Sequence, residues 1–335
     1  MVTLKDIAAV CGVSVSTVSR ALNGVELISP GRAERIRAAA REMGYTPDAS
    51  ARALKTNRSW MIGVLYEERM THPYFSLVID AVRASAEKRG FDVLLLSRSN
   101  QNGRIDYSDS AVCRRMDGVV IVYAHVDDGK VNRLLSGDIP VVSVDDCDRD
   151  CDVVFSDYRQ GTRQLMEAAI EKGHRRIAFV HGEMGYATRE RIAGFREALA
   201  AHGLAVPETY LRPAAFNDAQ RCAQETEALL RLPQPPTCIL MPDDFSALNA
   251  LQILRARGLQ SPRDFSCIGY DGIGWAQALT PRLTTYRQNT AAAGEAIFEQ
   301  LVAALNEGLA HEKKRIRISG TLIPGETLED ISGKE

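Results

Sequence analysis

From Trp60 onward the chain repeats one pattern, a short run of Val, Ile and Leu followed by an amphipathic stretch of helical period. MIGVLY, FDVLLL, GVVIVY and PVVSV come first, and RIAFVH, TCILM and SCIGY recur after helical stretches that end near Gly173, Leu232 and Gly258. Strands that are apolar along their whole length need cover on both faces, which parallel sheets flanked by helices supply. More than eight such units in about 270 residues exceed one open sheet of ordinary size. The pattern therefore predicts two doubly wound α/β subdomains. In such folds small ligands bind beyond the carboxyl ends of the strands, and a cleft between the subdomains is the expected site.

The first 44 residues read differently, as three short helices. Thr3 and Asp6 form a capping box, and Leu4, Ile7, Ala8 and Cys11 then share one apolar face before Gly12 ends the helix. Ser14 caps a second helix that turns Val18, Ala21 and Leu22 inward and leaves Ser16, Ser19, Arg20 and Asn23 outside. A third helix opens at Ser29-Pro30, buries Ile36, Ala40 and Met43 and stops at Gly44. This all-α unit has the order of a helix-turn-helix, although a three-helix mini-domain with a purely packing role has the same pattern. The following stretch, YTPDASARALKTNRS, has the composition of a linker. Its residues 48–55 allow a helix of about two turns, too short to hold alone in water.

Charge separates the two parts. The first 60 residues carry nine basic and five acidic side chains, a net of +4, so the remainder carries −6 within the overall −2. A basic module ahead of an acidic body suits a chain of which one end alone meets a polyanion. No stretch approaches the roughly 20 apolar residues of a membrane span, and the N-terminus lacks the pattern of a secretory signal, which points to the cytoplasm. Seven cysteines without a pairing pattern suit a reduced compartment. VDDCDRDCD has poor zinc spacing and no histidine, so a solvated loop is expected there and no metal. With no glycine-rich phosphate loop and no nucleophile elbow, neither a cofactor nor a catalytic residue is expected.

LKDIAAVCGVSVSTVSRALNG, SPGRAERIRAAAREMGYTPDASARALKTNRS, GVL, GHRRIAFVHG, RIAGF, PDD, CIGYDG and PRLTTYRQN together resemble the LacI/GalR family of bacterial regulators, in that family's order and over nearly the whole chain. The resemblance implies a helix-turn-helix domain over 1–46, a hinge helix and linker over 47–60, and a periplasmic-binding-protein-like core over 61–330. Within the core it implies one subdomain of about 61–156 plus 288–318 and another of about 157–287, joined by three crossovers. The implied DNA contacts are Thr3, Val15, Ser16, Thr17, Ser19, Arg20 and Asn23 from the head. Val15, Ser16 and Arg20 would meet base edges, and Thr17 and Ser19 phosphates. Arg20 could instead make only a phosphate contact. Ala51, Leu54 and Lys55 match a hinge that enters the minor groove, with Leu54 as its apolar wedge. Two hinges must meet there, so a homodimer on a pseudo-palindromic operator follows.

The same resemblance implies an effector pocket lined by Tyr74, Phe75, Asp145, Phe155, Arg191, Phe216, Asp243 and Asp271. Aromatic faces, carboxylates and an arginine suit a ring that carries hydroxyls. For Phe155 and Phe216 core packing is the equal alternative. Arg191 is read as opening a helix and Asp271 as ending a strand. Glu67, Glu68, Tyr158 and Gly272 depart from the family's usual residues and leave the effector class open, while an acidic pocket rim favours a neutral or cationic effector over a phosphorylated one. The implied function is a repressor of genes for carbohydrate uptake or breakdown. A sugar-binding transport protein or a sugar-handling enzyme on the same core is the competing reading. No leucine-heptad tail follows Leu322, which favours a dimer over a tetramer.

Overall fold

The computed structural model describes residues 2–22, 28–46, 53, 58–67, 70–96, 99–100, 103–104, 106–124, 129–145 and 148–333. The chain divides into two compact units, Met1–Ser59 and Trp60–Glu335.

In the first unit α1 (Leu4–Cys11), α2 (Val15–Leu22) and α3 (Pro30–Glu42) enclose a small core of Ile7, Ala8, Cys11, Val18, Ala21, Ala33, Ile36 and Ala40. The capping box forms as the sequence predicts. The Thr3 N–H donates to the Asp6 carboxylate at 2.8 Å, and the Asp6 N–H donates to Thr3 Oγ1 at 3.4 Å. Gly12 ends α1 in the left-handed region at φ 65°, which a glycine adopts without strain. Ser14 caps α2 by accepting from the Thr17 N–H at 3.2 Å. Ser29 makes no side-chain cap bond, so the first turn of α3 rests on the fixed φ of Pro30. Arg35 of α3 donates to the Cys11 carbonyl at 2.8 Å and ties the end of α1 to the supporting helix. Met43 is only half buried.

The second unit holds the expected parallel sheets. One has six strands, in the order β13 (Arg315–Ile318), β7 (Asp152–Ser156), β6 (Val141–Val144), β5 (Gly118–Tyr123), β1 (Met61–Tyr66) and β2 (Asp92–Leu96). The other has four, in the order β11 (Ser266–Ile268), β10 (Cys238–Leu240), β8 (Ile177–His181) and β9 (Leu211–Pro213). Short pairs β3–β4 (Ser99–Asn100, Gly103–Arg104) and β12–β14 (Thr285–Arg287, Thr321–Ile323) are antiparallel. The interior strands are apolar throughout because helices cover both faces. The edge strand β2 is the exception, since Leu95 is 47% exposed and Leu94 is exposed as well.

The helices Pro73–Glu87 and Thr290–Glu307 lie together on one face of the six-stranded sheet. They approach so closely at Gly294 that a Cβ there would stand 2.6 Å from the Ala81 backbone. The chain leaves the first sheet after β7, returns between β12 and the helix Thr290–Glu307, and leaves again between β13 and β14.

Candidate functional site

On the first unit, α2 keeps Val18 and Ala21 inside and turns Val15, Ser16 and Arg20 to solvent, with Val15 39% exposed. Thr17 and Ser19 are half buried. The Ser14 hydroxyl lies 2.8 Å from both the Ser16 and the Thr17 hydroxyls, which draws these side chains toward the start of the helix. Thr3 is exposed, and its hydroxyl donates to the Asp6 carboxylate at 2.8 Å. Asn23, Ala51, Leu54 and Lys55 lie outside the described residues.

The second unit gathers buried polar groups at the carboxyl ends of its strands. Asp145 follows β6 with φ 57° and accepts from protein donors. Tyr74 Oη donates to it at 2.7 Å, the Ser156 N–H donates at 3.0 Å, and the Tyr158 hydroxyl reaches the same carboxylate. Tyr158 is the first residue of the helix Tyr158–Glu171, held in place by the Asp157 cap.

Arg191 does not open its helix. It lies in the second turn of Tyr186–Ala201, because that helix begins one turn earlier than the sequence suggests. Its side chain is buried, at 4% exposure, with the guanidinium carbon 3.6 Å from the Tyr270 ring centre, 4.8 Å from Tyr158 and 5.7 Å from Phe216. Nη1 donates to the Pro242 carbonyl at 2.7 Å, and Nη2 stands 3.8 Å from Asp271. Asp271 takes φ 110°, a strained value for a side-chain-bearing residue, and is fixed from the next crossing by Gln288 Nε2 at 2.7 Å.

Asp243 caps the helix Asp244–Ala256, accepting from the Ser246 N–H and hydroxyl at 2.6 and 2.7 Å and from the Asn217 N–H at 3.1 Å. Behind it Asp244 accepts from the Thr285 hydroxyl at 2.6 Å and the Ile273 N–H at 2.9 Å. Phe216 packs against Gly182, where a Cβ would collide with its ring at 2.4 Å. Burial lifts the Asp145, Asp243 and Asp271 carboxyls above their ordinary range, because the charged form loses its water. The same cause pushes Asp244 up to about 7.

Tyr74, Asp145, Arg191, Phe216, Asp243 and Asp271 thus belong to one connected group. Phe75 touches it through Tyr74, but its other ring contacts are Tyr66, His72 and Tyr123. Phe155 packs in the apolar layer on the other face of its sheet and edge-on against Tyr186 at 5.8 Å.

Sequence reasoning did not place Asn217, Tyr270 or Gln288 at the site, and named Tyr158 only as a departure from the family's usual residue. Four buried atoms of the group have no hydrogen-bond partner among the described residues: Arg191 Nε, Asn217 Oδ1, Tyr270 Oη and Gln288 Oε1. Gln288 and Tyr270 were within reach, since each stands inside a segment already singled out, YRQN and GYDG. A buried polar group without a partner is costly, so these four atoms mark the group as a candidate ligand site.

Known proteins match both units. Residues 3–48 fit the family model for bacterial regulatory proteins, lacI family, and residues 166–328 fit a periplasmic binding protein-like domain. The probable HTH-type transcriptional repressor ExuR of Bacillus subtilis (strain 168) is 31% identical over 292 residues, covering 86% of this chain and 87% of its own. The HTH-type transcriptional repressor PurR of Vibrio cholerae serotype O1 (strain M66-2) is 28% identical over 99% of each chain. Among solved structures, the lac repressor dimer bound to operator and the anti-inducer ONPF superposes with a TM-score of 0.80 at 26% identity, over 98% of this chain and 99% of that one. The transcriptional regulator CelR in complex with cellobiose gives 0.70 at 27% identity, over 98% and 100%.

Proposed function

This chain belongs to the lacI family of bacterial regulatory proteins, and from there we propose how it works as a transcriptional repressor. The first unit reads operator DNA with α2 in the major groove. Val15, Ser16 and Arg20 face the bases, and Thr17, Ser19 and Thr3 face the backbone. Asn23 and the hinge residues Ala51, Leu54 and Lys55 complete the contact. The second unit binds a sugar in the cleft around Arg191, with Tyr74, Asp145, Phe216, Asp243 and Asp271 in the same wall and Phe75 and Phe155 behind it. The protein acts as a homodimer on a pseudo-palindromic operator in the cytoplasm. Exposed Leu77 of the helix Pro73–Glu87, Leu94 and Leu95 of the edge strand β2, and Trp275 and Leu279 at the short helix Gly274–Ala278 supply apolar surface for the partner copy. The target genes serve carbohydrate uptake or breakdown. Sugar and operator are linked by a coupling free energy, so each changes the affinity for the other by the same factor. The chain is a regulator and not an enzyme, in keeping with its relatives.

One observation carries the proposal. A single chain joins a recognition helix whose polar face is kept outside to a buried polar cluster that still lacks partners. Selecting operator sequences from a random DNA pool with the full chain tests it, at fixed salt because phosphate contacts are salt-dependent. The expected product is a two-fold-related site, and Arg20→Ala should lose about 1–3 kcal/mol of discrimination at one base pair of each half. Equal binding to all sequences would overturn the reading.

A further inference from the structure

We infer that His311 is a proton-operated staple. In its charged form it ties together the far ends of the three first-sheet elements that border the crossings, and it lets them loosen when it gives up its proton.

The three elements share one arrangement. β7 ends just before the first crossing, the helix Thr290–Glu307 starts just after the second, and β13 ends just before the third. Their opposite ends meet at His311. Its Nε2 lies 2.9 Å from Oδ2 of Asp152, the first residue of β7, and its Nδ1 lies 2.9 Å from Oε2 of Glu307, the last residue of the helix. Asp152 Oδ1 accepts from the Lys314 N–H at 2.8 Å, one residue before β13 begins. β13 depends most on this tie, because it ends the sheet, pairs there with β7 and leaves Arg315 and Arg317 exposed. A packed helix or strand moves as a stiff piece, so what is fixed at one end limits movement at the other.

The geometry selects the charged ring. A neutral imidazole has one N–H and one lone pair, so it donates to one carboxylate and turns the lone pair on the other, whereas the imidazolium donates to both. Asp152 is the less screened partner, with its side chain 4% exposed against 51% for Glu307. Burial by itself would lower the imidazole below its ordinary value. The hydrogen bonds to Glu307 and Asp152, with the charges of both, outweigh burial and raise it. The remaining charged groups around the ring face outward or each other: Lys313 pairs with Asp150 of the turn before β7 at 2.9 Å, and Glu312 and Lys314 are exposed. With the folded value above the unfolded one, the staple's contribution is complete below about pH 6.5 and is lost as pH rises through the folded value.

The test uses the full chain with a ¹³C label in its six histidine rings and follows each ring signal against pH by nuclear magnetic resonance. The signal that disappears in His311→Gln should titrate above the ordinary histidine value of about 6.5. Asp152→Asn, which keeps the shape and removes the charge, should bring it back toward that value. Glu307→Gln, at the exposed end, should lower it as well without touching β7, which gives a second reading if Asp152→Asn does not fold. Hydrogen exchange then reads the tie itself. After correction for the intrinsic rate, protection of the amides of 315–318 should fall about tenfold more in the parent than in His311→Gln between about pH 6 and 9, the effect of losing a hydrogen bond to a charged group. A His311 signal that titrates at or below about 6.5 would overturn the proposal. So would a signal that neither carboxylate substitution moves, or the same loss of protection in the parent and in His311→Gln.

Discussion

The head and the cleft use the same residue types in opposite ways. At the ends of α1 and α2 the polar side chains bond to neighbours two or three residues away, and the carboxylates of Asp6 and Glu34 lie at the surface. Hydrogen bonds from Thr3 hold Asp6 below its ordinary range, and Arg41 does the same for Glu34. In the cleft, apart from the Ser246 cap on Asp243, the bonds join residues 11 to 71 positions apart, and burial drives the carboxyls upward. A surface that must meet DNA keeps its polar groups wet and locally arranged. A pocket that must enclose a small molecule needs groups that water has left, and only the complete fold can collect them.

If the two units are as separate as this contrast suggests, damage to the head's core should stay in the head. Ile36 is fully buried between the three helices, and truncating such a residue typically costs about 2–5 kcal/mol. A unit of this size has little more than that to lose. Ile36→Ala should therefore abolish operator binding in a fluorescence-anisotropy titration while the sugar-dependent midpoint of the second unit stays where it was. A fall of both together would show that the units fold as one and would break the contrast.

The opposed carboxyl shifts give a second way to sharpen it. In the cleft the folded-state values lie above the unfolded ones, so their stabilising contribution is complete below about pH 4 and is lost as pH rises through the folded value, about 7 for Asp244. In the head the shifts are downward, so that contribution is present at neutral pH and is lost on acidification. Calorimetry between about pH 5 and 8 should thus show the midpoint of the second unit falling with rising pH while that of the head does not. Asp244→Asn should flatten the fall. It should also cost about 1–3 kcal/mol, because an amide NH₂ would replace an acceptor for the Ile273 N–H. A slope that survives the substitution would assign the pH dependence to other groups.

The same difference in range governs how much could be read from the sequence. The head was legible nearly to the atom, since a capping box, a glycine stop and an i, i+3, i+4 stripe are local patterns with local causes. The parallel sheets were legible as a class from Val120 and its neighbours, but the exposed side of β2 was not. Periodicity reports that a strand is apolar and is silent on which strand ends at a sheet's edge. Asp271 could be placed because strand ends carry ligands in such folds, and Arg191 only by resemblance, one turn away from its true position in the helix. Asn217 could not be found from its own segment, and Gln288 stood inside a flagged segment without a role of its own. Each is an ordinary loop residue until a crossing from another part of the chain brings a carboxylate to it.

The smallest expected effect lies within the capping box, where two roles of one residue can be separated. Thr3→Ala removes the hydroxyl that accepts from the Asp6 N–H, but the box's other bond, from the residue 3 N–H to the Asp6 carboxylate, survives. Losing a threonine cap typically costs about 1 kcal/mol, and the long 3.4 Å bond with its surviving companion places this one at or below that figure. The head should therefore stay folded, with a slightly lower midpoint by circular dichroism. If Thr3 also meets the DNA backbone, operator affinity should fall by more than the lost helix stability explains, and about equally for every operator sequence, since phosphate contacts carry no base information. An affinity loss confined to one sequence would instead place Thr3 against a base, and no loss would leave it a cap alone.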